Sequence, residues 1–496
     1  MGSNSMKFNL QRYASFLSAA LLMAATAESH AFALLGPVQP WMQQSNGVIQ
    51  VGDIGGPMSI SNEYRWNVPV VTYAFDQPFM DYFGSNGVAA VEGAFAILNS
   101  LPNASALDLD DYPLVSILWN PTADQAMLAD LKSYTLALLV QYLGLADPYR
   151  YVWTIYSRDT AGPQANYDVI MMNYDPVTLS LTYEVNGVIY FYQIIEENGV
   201  VDAVERWALS DLPPYTAVAG GHLGQGCFYT GLTRDDVGGL AYLLSTNNVN
   251  YEFLLPGVAG VGANANSFVN GAWRPGVDKI TFIPQPTGTL PGTFLPTTNY
   301  YTDRYITNGT LQQQELARII TQPDFVFSVD DVTLGGPGVP GFTRTGTTNW
   351  SNYAAVNGNT NGAGPGIIQP PFHIVFNKLG PYFSSMGPSD ENAYGGPESW
   401  ASFNQSTDAP LGYPIPHDTN QLTVRMWLEM GTPFNQPAHS FEWKSTSAAG
   451  TQFTLQTSTN LMTWRDLFTI PNDGTVCTYF NYNPASPSRF YRLVQQ

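Results

Sequence analysis

Basic residues are scarce in this chain: 19 Lys and Arg stand against 39 Asp and Glu, for a formal net charge of −20. A field of that sign repels phosphate backbones and anionic membrane surfaces, so nucleic acid is excluded as a natural partner. Charge of either sign is thin, at 12% of residues, which leaves the surface to neutral Asn, Thr, Ser, Gln and Tyr. Such a surface suits an extracellular protein or glycan, or self-association. Cysteine is nearly absent, and Cys227 with Cys477 does not make a disulfide framework. Of the five histidines, His30, His222, His373, His417 and His439, no two share a metal-ligand spacing. After the N-terminal leader no run is long and apolar enough to span a bilayer. There is also no Gly-x-Ser-x-Gly elbow, no P-loop and no dinucleotide fingerprint.

What is present speaks first of address. Lys7 and Arg12 precede a short apolar run, Phe16 to Ala27, followed by small-residue cleavage sites at Ala25-Thr26-Ala27 and Ala31-Phe32-Ala33. The pattern predicts a signal peptide over 1–33 and a protein that is secreted or held at the cell surface. The remaining length suggests about three domains, and 44% hydrophobic with 13% aromatic residues supplies their cores.

Composition divides the chain accordingly. Residues 34–256 alternate strand-like and helical runs. Val70 to Phe75 is β-branched and aromatic; a turn at Gly84 to Gly87 then leads into Val88, Val91, Phe95 and Leu98 at helical spacing. Leu114 to Trp119 reads as a buried strand, Ala126 to Ala146 as a long helix, and Tyr151 to Tyr156, Ser180 to Tyr183 and Val188 to Ile194 as extended. A last helix begins at Thr233, where Asp236 completes a capping box. Residues 257–433 are loop-heavy and β-rich, with strands at Lys279 to Ile283, Phe325 to Val329, Phe372 to Phe376 and Leu422 to Leu428. One helical run is predicted at Leu311 to Ile320 after Thr310. Residues 438–496 alternate with period two from Phe453 to Ser458 and close on Arg489-Phe490-Tyr491-Arg492-Leu493. The fold class expected is α+β.

Two segments carry family resemblances. The Gln456-Thr457-Ser458-Thr459-Asn460-Leu461-x-x-Trp464 stretch, with the closing Arg-Phe-Tyr-Arg-Leu run, resembles a C-terminal β-sandwich module of secreted bacterial proteins. The segment Thr135 to Asp147 resembles the zinc helix of matrixin-like metzincin peptidases, which reads His-Glu-x-x-His-x-x-Gly-x-x-His. In that register the ligand and base positions are Ala137, Leu138, Gln141 and Asp147, with Gly144 on the turn. The run Thr233 to Leu243 is similar to the family's final helix, and its Met-turn corresponds either to Ile170-Met171-Met172 or to Cys227-Phe228-Tyr229. The resemblance implies a metzincin-like α/β domain that has lost its zinc ligands, because an alkyl side chain cannot ligate zinc and Leu138 cannot move a proton. The same run also reads as a plain buried helix.

Elsewhere, His222 in Gly220-Gly221-His222-Leu223-Gly224, five residues before Cys227, is the remaining candidate acid–base or nucleophile site. The Asp108-Leu109-Asp110-Asp111 run offers oxygen ligands for a structural calcium and equally reads as solvated loop charge. No other cofactor is implied. Trp273, Trp350 and Trp400 lie in polar segments and could stack on sugars or fill cores. Together these readings predict an exported non-catalytic binding or surface-structural protein. The alternative is a secreted hydrolase of polysaccharide or protein whose site lies outside the degenerate helix.

Overall fold

The computed structural model describes residues 31–495, leaving aside 44–45, 50–52, 160, 162–164, 198–199, 209–215, 289–292, 331–341, 345–348, 353–363, 378–398, 415–421, 429–438, 446–451, 459–462, 472–476 and 482–489. Residues 1–30 of the predicted leader thus lie outside the described residues, but its last three do not. Ala31 to Ala33 are buried, and β1 (Phe32–Gly36) is covered at every position. Ala-Phe-Ala-Leu-Leu continues the apolar composition of a leader and is equally apt for a strand buried on both faces.

Along the chain, β2 (Val70–Phe75) matches its expected span and feeds α1 (Gln77–Ser100). Asp76 caps this helix by accepting from the Phe79 N–H at 3.0 Å, and Pro78 sits where no N–H is needed. The expected turn survives only as a break at Gly84 (φ 59°, ψ −161°), so the helix begins at Gln77 rather than Val88. β3 (Ile117–Trp119) keeps the end of the 114–119 run, but in a two-stranded sheet with Leu118 and Trp119 half exposed rather than as a buried strand.

The single helix expected over 126–146 is divided into α2 (Pro121–Gln125), a strand Leu128–Asp130 and α3 (Leu131–Tyr142). Asp130 decides this. Its carboxylate accepts from the Ser133 backbone N–H at 2.9 Å and from its hydroxyl at 2.5 Å, which starts a new helix there. Leu128–Asp130 pairs in parallel with Ser399–Ala401 instead. Asp147 and Pro148 then open α4 (Pro148–Tyr151), a short helix not expected from the sequence, and the extended run expected over Tyr151 to Tyr156 is found as a strand at Thr154–Asp159. β4 (Cys227–Tyr229) precedes α5 (Arg234–Leu244), whose capping box between Thr233 and Asp236 is as read from the sequence.

The helix predicted over Leu311 to Ile320 is a strand. β5 (Thr297–Thr307) and β6 (Thr310–Ile320) form a fully registered antiparallel hairpin. Asn308 (φ 49°) and Gly309 (φ 72°) both take left-handed backbone, the requirement of a type I′ turn. That two-residue turn outweighs the helical preference of the Leu, Gln, Glu, Ala and Arg that follow.

β2 lies inside a five-stranded sheet, flanked in parallel by Thr281–Pro284 on one edge and Phe325–Asp330 on the other. Phe325–Asp330 pairs onward with Phe372–Asn377, also in parallel. α1 packs on this sheet through a run of aromatic contacts: Tyr73 stacks on Phe95 at 4.0 Å, and Phe79 and Phe83 meet Phe376. Residues on both sides of position 256 therefore share one sheet and one hydrophobic core. The change in composition there does not separate two sheets.

A second sheet, ordered Val249–Phe253, Gly271–Pro275, β5, β6, Val258–Gly260, is joined to this core by buried charge. Arg65 pairs with Glu252 at 2.8 Å across that junction, while within the sheet Arg274 pairs with Asp303 at 3.0 Å and Gln314 donates to Asp303 at 2.7 Å. Near the C-terminus two three-stranded antiparallel sheets follow, and Leu422–Leu428 pairs with His439–Ser445, so that part of the fold reaches back before residue 438. The chain is a mixed, strand-rich α and β protein, and no helix among the described residues is long and apolar enough to cross a membrane.

Replacing Arg274 with Met strands the Asp303 carboxylate in the interior. We expect a loss of about 3–5 kcal/mol in urea unfolding, with much of it recovered when Asp303→Leu is added, because both buried charges are then gone.

Candidate functional site

The site is built where α3 ends. Ala137 and Leu138 face the core, 3% and 2% exposed, and Gly221 packs over the Ala137 methyl. One turn on, Gln141 donates its side-chain amide to the Ala219 carbonyl at 2.7 Å. The helix is stopped at Gly144, whose φ of 108° excludes an ordinary side chain, and an added Cβ would meet the Tyr64 carbonyl oxygen at 2.5 Å. The short strand Leu145–Ala146 pairs with β1 and delivers Asp147 to the N-cap of α4. There one carboxylate oxygen accepts from the Tyr149 N–H at 2.9 Å and the other meets His222 Nε2 at 2.6 Å.

The structure thus brings His222, a separate candidate in the sequence, to Ala137, Gln141 and Asp147, which were read there as one group, around one loop, 217–223. The donor set does not fit zinc. Ala137 offers a methyl group, Gln141 a hydrogen-bonded amide, and Asp147 a carboxylate shared between a helix cap and an imidazole. Among the described residues no group of three or more His, Cys, Asp or Glu is gathered for a metal. The Asp108 to Asp111 run forms a short turn in which Asp108 accepts from the Asp110 N–H and Asp110 pairs with Arg234.

What holds the loop down was not read from the sequence. Asp236, credited there only with capping α5, also accepts from the backbone N–H groups of Val218 and Ala219, at 2.9 Å each. Its neighbour Asp235 accepts from the N–H of Asn186 at 2.6 Å and from that of Ala31. Asn186 in turn donates to the hydroxyls of Thr216 and Thr233 at 3.0 Å. Burial pushes both carboxyls above the ordinary range, Asp235 well above it, and the hydrogen bonds they accept pull them back.

Tyr229, on β4, is the second residue missed. Its N–H donates to the Ser133 hydroxyl at 2.8 Å, and its own hydroxyl is buried with no hydrogen-bond partner among the described residues. Burial first, then the charges of Asp236, Asp147 and Cys227, drive its pKa far up, so it remains a neutral O–H. An aromatic in a strand carries no sequence signal for this. Cys227 is half-buried, with its N–H turned back to the Gly224 carbonyl at 3.0 Å. Its partner Trp119 on β3 and the adjacent Leu118 are about half exposed, at 51% and 48%. The Tyr149 ring stands edge-on to His222 at 5.7 Å. Chemically, the Asp147 and His222 pair can orient an imidazole whose side chain is 28% exposed. Of the three tryptophans considered for sugar stacking, Trp400 is fully buried, Trp350 packs on Tyr64, and Trp273 is 41% exposed.

Because Asp235 and Asp236 hold a proton more readily folded than unfolded, their contribution to stability falls as pH rises from 3.8 through their raised folded values. Melting curves should therefore give a higher Tm at pH 5 than at pH 8, and Asp235→Asn should flatten the slope by at most about 1.4 kcal/mol per pH unit. Tyr229→Phe removes a buried hydroxyl that makes no bond among the described residues. It should be neutral or stabilising by up to about 1 kcal/mol, whereas loss of a bonded hydroxyl would cost that much.

In the comparisons with known proteins, no family model, no curated protein and no solved structure matches this chain.

Proposed function

We propose that this chain is an exported, non-catalytic binding protein, built on a metzincin-like scaffold whose metal position has been given over to structural hydrogen bonds. One observation carries the reading: Gln141 and Asp147 spend their polar atoms on Ala219, Tyr149 and His222, beside the methyl of Ala137. A peptidase of that register needs three ligands and a carboxylate base converging on one metal. Here the same positions fasten a loop. The N-terminal leader supports export, and the neutral, weakly charged surface supports an extracellular protein or glycan as partner.

The test is metal analysis of the exported protein together with peptidase and glycosidase substrate panels and peptide and glycan arrays. The expected result is array binding without stoichiometric zinc and without turnover. Bound zinc in a 1:1 ratio, or turnover on any panel, would overturn it.

A second reading, a hydrolase using His222 as general base, is favoured by the 2.6 Å pairing with Asp147 and by the partial exposure of the ring. It predicts activity that His222→Ala abolishes and Asp147→Asn lowers by 100-fold or so, on the order of what a general base contributes. Under the binding reading both variants are silent on every substrate.

A further inference from the structure

Ala31-Phe32-Ala33 fits a cleavage pattern, yet it opens a strand that the fold cannot spare. Ala31, Phe32, Ala33 and Leu34 are each 0 to 1% exposed. β1 runs between Gly56–Met58 and Asn173–Tyr174, and it also pairs with Leu145–Ala146, the segment that delivers Asp147. The Phe32 ring stacks on Tyr242 of α5 at 5.5 Å and tilts against Tyr174 at 6.2 Å. The Ala31 N–H donates to the buried carboxylate of Asp235. A cut after Ala33 would delete these contacts and place a new α-ammonium on Leu34, which has no exposure to water. The other small-residue site, Ala25-Thr26-Ala27, lies ahead of the strand and is followed by the polar Glu28-Ser29-His30.

We propose that maturation hydrolyses the Ala27–Glu28 bond and leaves Ala31-Phe32-Ala33 intact as the start of β1. One water is consumed; Ala27 of the leader gains the carboxylate and Glu28 the free α-amine. The inference rests on the export reading above, and the mature chain begins three residues before Ala31 rather than at Leu34.

Expression of the full chain in a secreting bacterial host, followed by N-terminal sequencing and intact mass of the exported protein, decides it. A start at Glu28 is expected. A start at Leu34 overturns the proposal while leaving export standing, and exported protein that still begins at Met1 overturns the leader reading itself. In parallel, chains begun at Glu28 and at Leu34 are compared by thermal melting. The Leu34 chain should melt several degrees lower or fail to fold, and equal Tm values would remove the physical ground of the proposal. Should the shorter chain not fold at all, Phe32→Ala in the Glu28 chain gives the graded readout. A lowered Tm is expected, and an unchanged one counts against any need for β1.

Discussion

Two adjacent carboxylates at the N-terminus of α5 hold the site region together. Asp236 closes the capping box with Thr233 and binds the Val218 and Ala219 amides, while Asp235 binds Asn186 and Ala31. Four separate stretches of chain, near residues 31, 186, 216–219 and 233, are thereby fixed to one helix end. Buried carboxylates are costly, and this pair is offset by backbone N–H donors and by the positive end of the helix dipole. The position of the 217–223 loop over α3, and hence the pairing of His222 with Asp147, follows from that anchor.

The same economy governs the scarce arginines. Arg65, Arg150, Arg274 and Arg318 are all buried against carboxylates of Glu252, Asp53, Asp303 and Asp324. Asp324 also receives the Thr72 N–H at 2.9 Å, so its pair with Arg318 ties β6 to β2. Pairs of this kind add little net stability over apolar replacements, but a misplaced element would leave a charge unpaired, which penalises alternative packings of the β5 and β6 sheet. Drawing cations inward also leaves the exterior poorer still in positive charge.

Much of the local structure was legible. β2, the strand at Phe372 and the capped start of α5 follow from β-branched periodicity and from Thr233 with Asp236 three residues on. The failures share a cause. Asp130 and Asp147 start helices through side-chain caps that a periodicity reading passes over, and Asn308-Gly309 turns a sequence of good helix formers into a hairpin. Each is a one- or two-residue backbone decision that outranks the average preference of its neighbours. The sheet joining β2 to strands more than two hundred residues away was not legible at all, because parallel pairing leaves no local mark.

By itself, the sequence determined the acidic, weakly charged surface, the presence of a leader-like N-terminus, the mixed α and β character, and the absence of metal-binding chemistry at Ala137 and Leu138. These depend on composition and on what single side chains can do. Tertiary structure alone decided that Asp147 meets His222, that Asp235 reaches Ala31, that the Tyr229 hydroxyl is buried with no partner among the described residues, and that both sides of residue 256 fill one core. Those outcomes depend on which distant segments pack together, and burial, which sets both the carboxyl shifts and the cost of an unpaired charge, exists only once they have.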